Sequence, residues 1–122
     1  MMFFFRESRK RVSVDEALAI TKGDQSDAVL LDVREKAEWQ SGHAPNAVHA
    51  PLTGLVAGGA LPAAARGRAL VVICRSGHRS QQAAKLLAGR GADAVDVEGG
   101  MNAWAAAGNP VVDERGNSGA TA

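Results

Sequence analysis

The chain has 122 residues, enough for one ordinary domain with one hydrophobic core. Its apolar content of 46% is that of a globular protein rather than of a disordered chain. Fourteen basic and thirteen acidic residues leave a net charge of +1, which gives no support to nucleic-acid or membrane binding as the main activity. The single cysteine, Cys74, can form neither an internal disulfide nor a zinc site by itself, so we expect a reducing, cytoplasmic location.

The chain ends are expected to lie outside the folded domain. Residues 1–12 are interpreted as an N-terminal arm, because their apolar start is too short for a membrane span or a signal-peptide core. The basic cluster in this arm either touches an acidic surface or, as we favour, forms a solvated segment; it consists of Arg6, Arg9, Lys10 and Arg11. Residues 13–112 are predicted to form the domain, and residues 113–122, which lack an apolar pattern, a disordered tail.

Two continuous apolar runs, residues 28–33 and 69–74, predict strands that are buried on both faces, as in a parallel sheet covered by helices. Shorter strand candidates are residues 47–50 and 94–97. Helices are predicted between them, the first opened by a capping box of Ser13 and Glu16 and the others over 35–41, 80–90 and 101–107. This alternation predicts a three-layer α/β domain, in which function collects where the strands end.

Cys74 stands at such a strand end, directly before a polar loop that leads into a helix near Ser80. Gly77 permits the unusual backbone angles of a tight loop, so that successive N–H groups can point inward at one spot. These groups, the helix N-terminus and the basic loop residues stabilise a thiolate, which is the nucleophilic form of cysteine. A cysteine that is only a small buried hydrophobe is the alternative, and the loop favours the functional interpretation. No metal or organic cofactor is needed for this chemistry.

Three separated segments carry a resemblance to a known family. They are Leu31-Asp32-Val33-Arg34 with Glu38-Trp39 and residues 42–47, the loop Cys74-Arg75-Ser76-Gly77-His78-Arg79-Ser80, and residues 98–104. Together they cover about residues 13–108, and in this order they resemble the rhodanese domain. Ala44 and Asn46 depart from the first signature of the family, which places the shape of that loop in question but not the reaction.

The resemblance implies a mostly parallel central sheet of about five strands flanked by helices, and a sulfurtransferase activity. The cysteine would take sulfur from thiosulfate or a persulfide donor, hold it as a persulfide and pass it to cyanide, a small thiol or a sulfur-accepting protein. We expect a monomer or weak dimer with no nucleic-acid or membrane partner. Four residues separate Cys74 from Arg79, whereas the related phosphatases and arsenate reductases have five. The shorter loop therefore favours sulfur over the larger phosphate or arsenate.

The residues of the predicted site have three roles. Cys74 is the nucleophile, and the substrate-binding residues are Arg75, Ser76, Gly77, His78 and Arg79. The supporting residues are Asp32, Arg34 and Ser80.

Several of these roles stay open at this point. Arg79 either binds an anionic substrate or pairs with Asp32 or Glu98. Asp32 either orients the loop or, as we favour, forms a structural ion pair. His78 either donates a proton to a leaving group or is an exposed residue without a role.

Residues outside the loop are interpreted as structural: His43 and His49 have no predicted role in the chemistry, and Trp39 and Trp104 are expected to anchor the core. Two other functions remain as alternatives. One is a phosphatase or arsenate reductase that uses the same cysteine, and the other is a non-catalytic binding or regulatory module.

Overall fold

A computed structural model describes residues 11–23 and 26–121. The described residues form five strands: β1 (Arg11–Val12), β2 (Ala28–Asp32), β3 (Val48–His49), β4 (Ala69–Ile73) and β5 (Ala94–Val97). They also form five α-helices and a short 3-10 helix: α1 (Val14–Thr21), α2 (Lys36–Ser41), α3 (Leu52–Val56), the 3-10 helix (Ala63–Ala65), α4 (Arg79–Gly89) and α5 (Gly100–Ala106).

The strands pair in the order β1-β5-β4-β2-β3, and all four pairings are parallel. The two apolar runs form the central strands β4 and β2, in which all five residues of each strand are buried. This burial on both faces explains why their sequences do not alternate between polar and apolar residues. The predicted three-layer fold with a five-stranded parallel sheet is therefore confirmed.

Helices cover both faces of the sheet. On one face α1 and α5 contribute Ala17, Met101 and Trp104 to a core with every second residue of β4, while α3 and α4 pack on the other face. Trp104 is 1% exposed and its indole N–H donates to the Pro110 carbonyl at 2.9 Å, so it anchors the core as predicted.

The first helix begins as its sequence predicts. The Glu16 N–H donates to Ser13 Oγ at 3.1 Å, and the Ser13 N–H donates to Glu16 Oε1 at 3.2 Å, which completes the capping box. The sequence did not predict β1, α3 or the 3-10 helix. Strand β1 has two residues and α3 has five, too few for a periodic pattern to be recognisable.

Both chain ends differ from the expected domain limits. Residues 1–10 of the predicted arm, with three of its basic residues, lie outside the described residues, but Arg11 and Val12 pair with β5 as an edge strand. In the predicted tail, residues 113–121 fold back on the domain, and the Ala120 N–H donates to the Ser41 carbonyl at 3.2 Å. His43 and Val112 exchange two backbone hydrogen bonds of 2.9 Å just before this segment. Backbone hydrogen bonds join residues 11–12 and residues 113–121 to the domain. The pattern of apolar residues in a sequence does not reveal such bonds.

None of the helices in the described part of the chain combines the length and the apolar character that crossing a membrane would require.

Candidate active site

Cys74 follows β4 directly and lies at the carboxyl edge of the sheet. It continues the face of β4 that packs against α4, and only 1% of the residue is exposed. The Gly77 N–H donates to Cys74 Sγ at 3.1 Å, so the loop turns back and places a backbone donor on the sulfur. Of the successive inward-pointing N–H groups that the sequence predicted, the Gly77 amide is the one that donates to the sulfur among the described residues.

Gly77 is the point at which the loop reverses. Its φ of 103° lies in a region that glycine adopts readily and other residues rarely do, as its predicted role requires. A Cβ at this position would also lie 2.9 Å from Arg11 Nη2 and 3.3 Å from the Gly99 N atom. Glycine is therefore favoured by the backbone angle, and a side chain here would also displace the Arg11 guanidinium.

Ser80 lies in the first turn of α4, fully buried, with its Oγ 3.4 Å from Cys74 Sγ. The hydroxyl donates to Asp96 Oδ2 at 3.0 Å. Asp96 belongs to β5, where it lies opposite Val72 of β4, and it is 2% exposed. A hydrogen-bonded chain therefore connects the sulfur through a serine to a buried carboxylate.

Arg11 completes this chain from the edge strand β1. Because β1 pairs with β5 in a register that places Arg11 opposite Asp96, its guanidinium donates to both carboxylate oxygens, at 3.0 and 3.1 Å. The hydrogen bond to Asp96 raises the pKa of Arg11. The same guanidinium donates to the Gly77 carbonyl at 3.2 Å. Sequence reasoning missed both residues, although an acidic residue within the apolar run of β5 signals that a partner is needed.

The first turn of α5 holds the beginning of the loop. The Met101 N–H donates to the Cys74 carbonyl at 2.8 Å, and the Asn102 N–H donates to the Arg75 carbonyl at 3.0 Å. A Cβ on Gly100 would lie 2.6 Å from the Arg75 carbonyl carbon, which no side chain tolerates. The third recognised segment, residues 98–104, thus contributes to the site by docking α5 on the loop backbone.

Arg79, the first residue of α4, pairs with Glu38 of α2 through two hydrogen bonds of 2.6 and 2.8 Å. The hydrogen bond to Arg79 lowers the pKa of Glu38 to about 2, and the same contact raises the pKa of Arg79. The predicted role of Arg79 in binding an anionic substrate stays a prediction, while the alternative of a pair with Asp32 or Glu98 named the wrong partners. The reason is that α2 lies over the carboxyl edge beside α4, a placement that motif spacing does not reveal.

Asp32 instead pairs with Arg34, and both side chains are 0% exposed. Arg34 Nη2 donates to Asp32 Oδ2 at 2.8 Å and to the Gly42 carbonyl at 2.6 Å, while Nη1 donates to the Glu38 carbonyl at 3.3 Å. The pair ties the end of β2 to both ends of α2. Two roles were considered for Asp32, orienting the loop or forming a structural ion pair. The contacts of Asp32 are those of the ion pair.

The indole of Trp39 is stacked between two imidazoles rather than buried as a core anchor. Its ring centroid lies 3.6 Å from that of His43 and 4.7 Å from that of His49. Each histidine also hydrogen-bonds to a backbone carbonyl, His43 to that of Trp39 and His49 to that of Arg34. Both histidines therefore have structural contacts, as the sequence indicated. Trp39 is half-buried, since its ring packs against these two histidines rather than in the core.

The remaining loop residues form the rim around Cys74. Arg75, Ser76 and His78 are exposed, and Ser76 Oγ lies 3.3 Å from His78 Nδ1. Cationic side chains thus stand both at the rim, through Arg75, and behind the sulfur, through Arg11. The arrangement favours an anionic group at the sulfur.

The fold and the site define an α/β domain that presents a cysteine in a tight loop at the carboxyl edge of a parallel sheet. The model of the Rhodanese-like domain family matches residues 13–107, and the chain belongs to this family.

Individual relatives agree with this assignment. The chain is 37% identical to the thiosulfate sulfurtransferase GlpE of Pseudomonas savastanoi pv. phaseolicola over 98 residues, which are 80% of this chain and 88% of the relative. A rhodanese-related protein from Thermoplasma volcanium superposes with a TM-score of 0.71 at 30% identity, covering 86% of this chain and 99% of that one. A protein of unknown function from Rhodopseudomonas palustris, described as a possible tyrosine phosphatase, also gives a TM-score of 0.71, at 28% identity and 85% coverage of each chain.

Proposed function

We propose that the protein is a sulfurtransferase that carries sulfane sulfur as a persulfide on Cys74. In the first step the Cys74 thiolate attacks the outer sulfur of thiosulfate. The S–S bond of the donor breaks, and its electron pair leaves with sulfite. The product is a Cys74 persulfide anion, and the total charge is the same on both sides of the reaction.

In the second step an acceptor nucleophile, such as cyanide or a thiolate, attacks the outer sulfur of the persulfide. The new S–S bond breaks, thiocyanate or an acceptor persulfide leaves, and the Cys74 thiolate is restored. A sulfur-accepting protein thiol would react in the same way. Neither step requires an external oxidant or reductant.

The observation that carries the proposal is the hydrogen bond from the Gly77 N–H to Cys74 Sγ within a loop of four residues between Cys74 and Arg79. An N–H that donates to the sulfur stabilises its anionic form, which both the attacking thiolate and the persulfide require. Arg11 and Arg79 each interact electrostatically with Cys74, and this adds positive potential at the same atom.

The burial of Cys74 bears on how a donor reaches it. Because 1% of the residue is exposed, we assign the approach to the exposed rim formed by Arg75, Ser76 and His78. A small anion such as thiosulfate is drawn there by the basic side chains and presents its outer sulfur first. His78 remains a candidate for a further contact with the donor.

Intact-mass spectrometry tests the proposal. The protein is incubated with thiosulfate, and we expect one added sulfur atom that a thiol reductant or cyanide removes, with thiocyanate formed in the second case. Cys74→Ser should acquire no sulfur. If the wild-type protein gains no mass, or if Cys74→Ser gains the same mass, the sulfurtransferase assignment is wrong.

The same preparation tests the two alternatives. Turnover of an aryl phosphate that is lost in Cys74→Ser would support a phosphatase, the activity suggested for the relative from Rhodopseudomonas palustris. A protein that neither takes up sulfur nor hydrolyses the phosphate would be a binding module. We expect sulfur uptake, because four residues separate Cys74 from Arg79, one fewer than in the related phosphatases.

A further inference from the structure

A continuous hydrogen-bonded chain, Arg11–Asp96–Ser80–Cys74, approaches the sulfur from the side of β1 and β5. We propose that Arg11 and Asp96 act together as positioning residues that set the direction of two groups at the sulfur, the Ser80 hydroxyl and the Gly77 amide. The proposal rests on the proposed function, since it concerns how Cys74 becomes ready for sulfur transfer.

Asp96 determines the direction of the Ser80 hydroxyl. An ionised carboxylate only accepts hydrogen bonds, so Ser80 must donate its single O–H to Asp96 Oδ2, at 3.0 Å. The lone pairs of Ser80 Oγ then face Cys74 Sγ, 3.4 Å away, where they accept from the protonated thiol. In this state Ser80 favours the thiol rather than the thiolate.

Arg11 makes a second state accessible. When the thiol loses its proton to solvent, the sulfur becomes an acceptor, and Ser80 can stabilise it only by turning its O–H away from Asp96. A buried carboxylate left without donors would be costly, but Asp96 keeps two charge-assisted hydrogen bonds from Arg11. The pair therefore allows the hydroxyl to change its acceptor from Asp96 to the sulfur, in the thiolate and again in the persulfide.

Arg11 also restrains the loop backbone. Its Nη2 donates to the Gly77 carbonyl at 3.2 Å, so this carbonyl is held away from the sulfur while the N–H of the same residue faces Cys74 Sγ at 3.1 Å. Rotation of the peptide unit after Gly77 would break the contact with Arg11. One guanidinium thus restrains the loop backbone next to the Gly77 amide and, through Asp96, positions the Ser80 hydroxyl.

Charged and titratable groups around the Cys74 loop belong to several elements, and the experiment must separate their effects. These are Arg11 of β1, Asp96 of β5, and Arg79 of α4 with its partner Glu38 of α2, together with the exposed Arg75 and His78 of the loop. Replacing Arg11 or Asp96 leaves the others in place. The two substitutions act on the thiolate in opposite directions, because one removes a positive charge and the other removes a negative charge.

The test measures the pH dependence of Cys74 alkylation by iodoacetamide and the rate of persulfide formation from thiosulfate. In Arg11→Ala we expect the alkylation midpoint to move to higher pH by about half a unit or more, and persulfide formation to slow by about tenfold. In Asp96→Asn we expect the midpoint to move to lower pH, since the amide can donate to Ser80 Oγ and release its hydroxyl to the sulfur. Arg66→Ala is the matched control: Arg66 also donates to a loop carbonyl, that of Leu61, but it precedes β4 at the opposite edge of the sheet.

Thermal unfolding shows whether each variant is folded, and Arg11→Lys replaces Arg11→Ala if the latter does not fold. The lysine keeps the charge but not the fork that bridges Asp96 and Gly77, so we expect a smaller shift in the same direction. Unchanged profiles in folded Arg11 and Asp96 variants, or equal shifts of the same sign, would overturn the proposal. Opposite shifts in a protein that takes no sulfur from thiosulfate would retain the positioning pair and reject the proposed function instead.

Discussion

The two sides of the Cys74 loop each carry a buried carboxylate with an arginine partner, and they differ in what they contact. On the β2 side, Asp32 and Arg34 are both 0% exposed, and Arg34 bonds otherwise to the carbonyls of Gly42 and Glu38. On the β5 side, Arg11 is 34% exposed. That pair bonds to the loop itself, through the Gly77 carbonyl and the Ser80 hydroxyl.

From this difference we infer that neither full burial nor membership in a sequence motif is needed for a pair to contact the groups around the sulfur. The Asp32–Arg34 pair belongs to a recognisable signature, and it connects the end of β2 to α2. The Arg11–Asp96 pair belongs to no signature, and it is one hydrogen bond from atoms that contact the sulfur. We therefore expect substitutions on the β2 side to change stability, and those on the β5 side to change reactivity.

The largest expected effect is on stability, from Asp32→Asn. The amide keeps the shape of the side chain but leaves the Arg34 guanidinium buried without a counter-charge. Removing one partner of a buried ion pair typically costs about 3–5 kcal/mol, and we expect this loss in the free energy of unfolding measured with urea. Since neither residue contacts the loop, persulfide formation in the folded fraction should stay within about twofold of wild type.

Asp27→Asn provides the control, because Asp27 is exposed just before the same strand and should change the unfolding free energy by less than about 0.5 kcal/mol. A stable Asp32→Asn variant that transfers sulfur slowly would reverse the comparison between the two sides.

The second effect is on reactivity, from Ser80→Ala. The substitution removes the hydroxyl between Cys74 Sγ and Asp96 while Arg11 still pairs with the carboxylate. Losing a hydrogen bond to an anionic sulfur is worth about 1–2 kcal/mol, so we expect persulfide formation to slow by about tenfold. Stopped-flow measurement of single-turnover sulfite release gives this rate.

Thr21→Val serves as the matched variant for Ser80→Ala. Thr21 also has a buried hydroxyl that hydrogen-bonds within the protein, to the Ala17 carbonyl, but it lies at the end of α1 away from the sulfur. Equal rates in Ser80→Ala and Thr21→Val would show that the β5 side has no part in the chemistry.

The central part of the fold was predictable because its signals are local. Continuous apolar runs indicated β2 and β4, and Ser13 with Glu16 indicated the start of α1. The loop from Cys74 to Ser80 was recognisable for the same reason, since its residues are contiguous.

The groups behind the loop were not predictable, because their contacts depend on tertiary pairing. Arg11 and Asp96 are 85 positions apart, and only the register of β1 on β5 places them opposite each other. With β1 interpreted as part of an N-terminal arm outside the domain, its arginine had no predicted partner within the domain. The partner of Arg79 was not foreseen for the same reason, since the position of α2 over the sheet edge brings Glu38 to it.

The smallest expected effect concerns this Glu38–Arg79 pair, which connects α2 to α4. The pKa of Glu38 lies at about 2 in the folded protein, below its ordinary value of 4.5, so its contribution to stability is fully present above about pH 4.5. The contribution is lost as the pH falls from there toward 2 and the carboxylate becomes protonated in the folded state. Both side chains are partly exposed, and solvent screening limits the contribution to about 1 kcal/mol.

Glu38→Gln should therefore lower the unfolding free energy by about 1 kcal/mol at neutral pH, and the difference from wild type should shrink as the pH is lowered to about 3. Urea titrations of both proteins across this range measure the difference, while Glu114→Gln, an exposed residue in the C-terminal segment, shows the background. The rate of persulfide formation is measured in both proteins as well, because Arg79 that is no longer paired with Glu38 can turn toward the anionic sulfur. A faster reaction in Glu38→Gln would show that Glu38 restrains Arg79 in the wild-type protein. An unchanged rate would show that the pair contributes to stability alone.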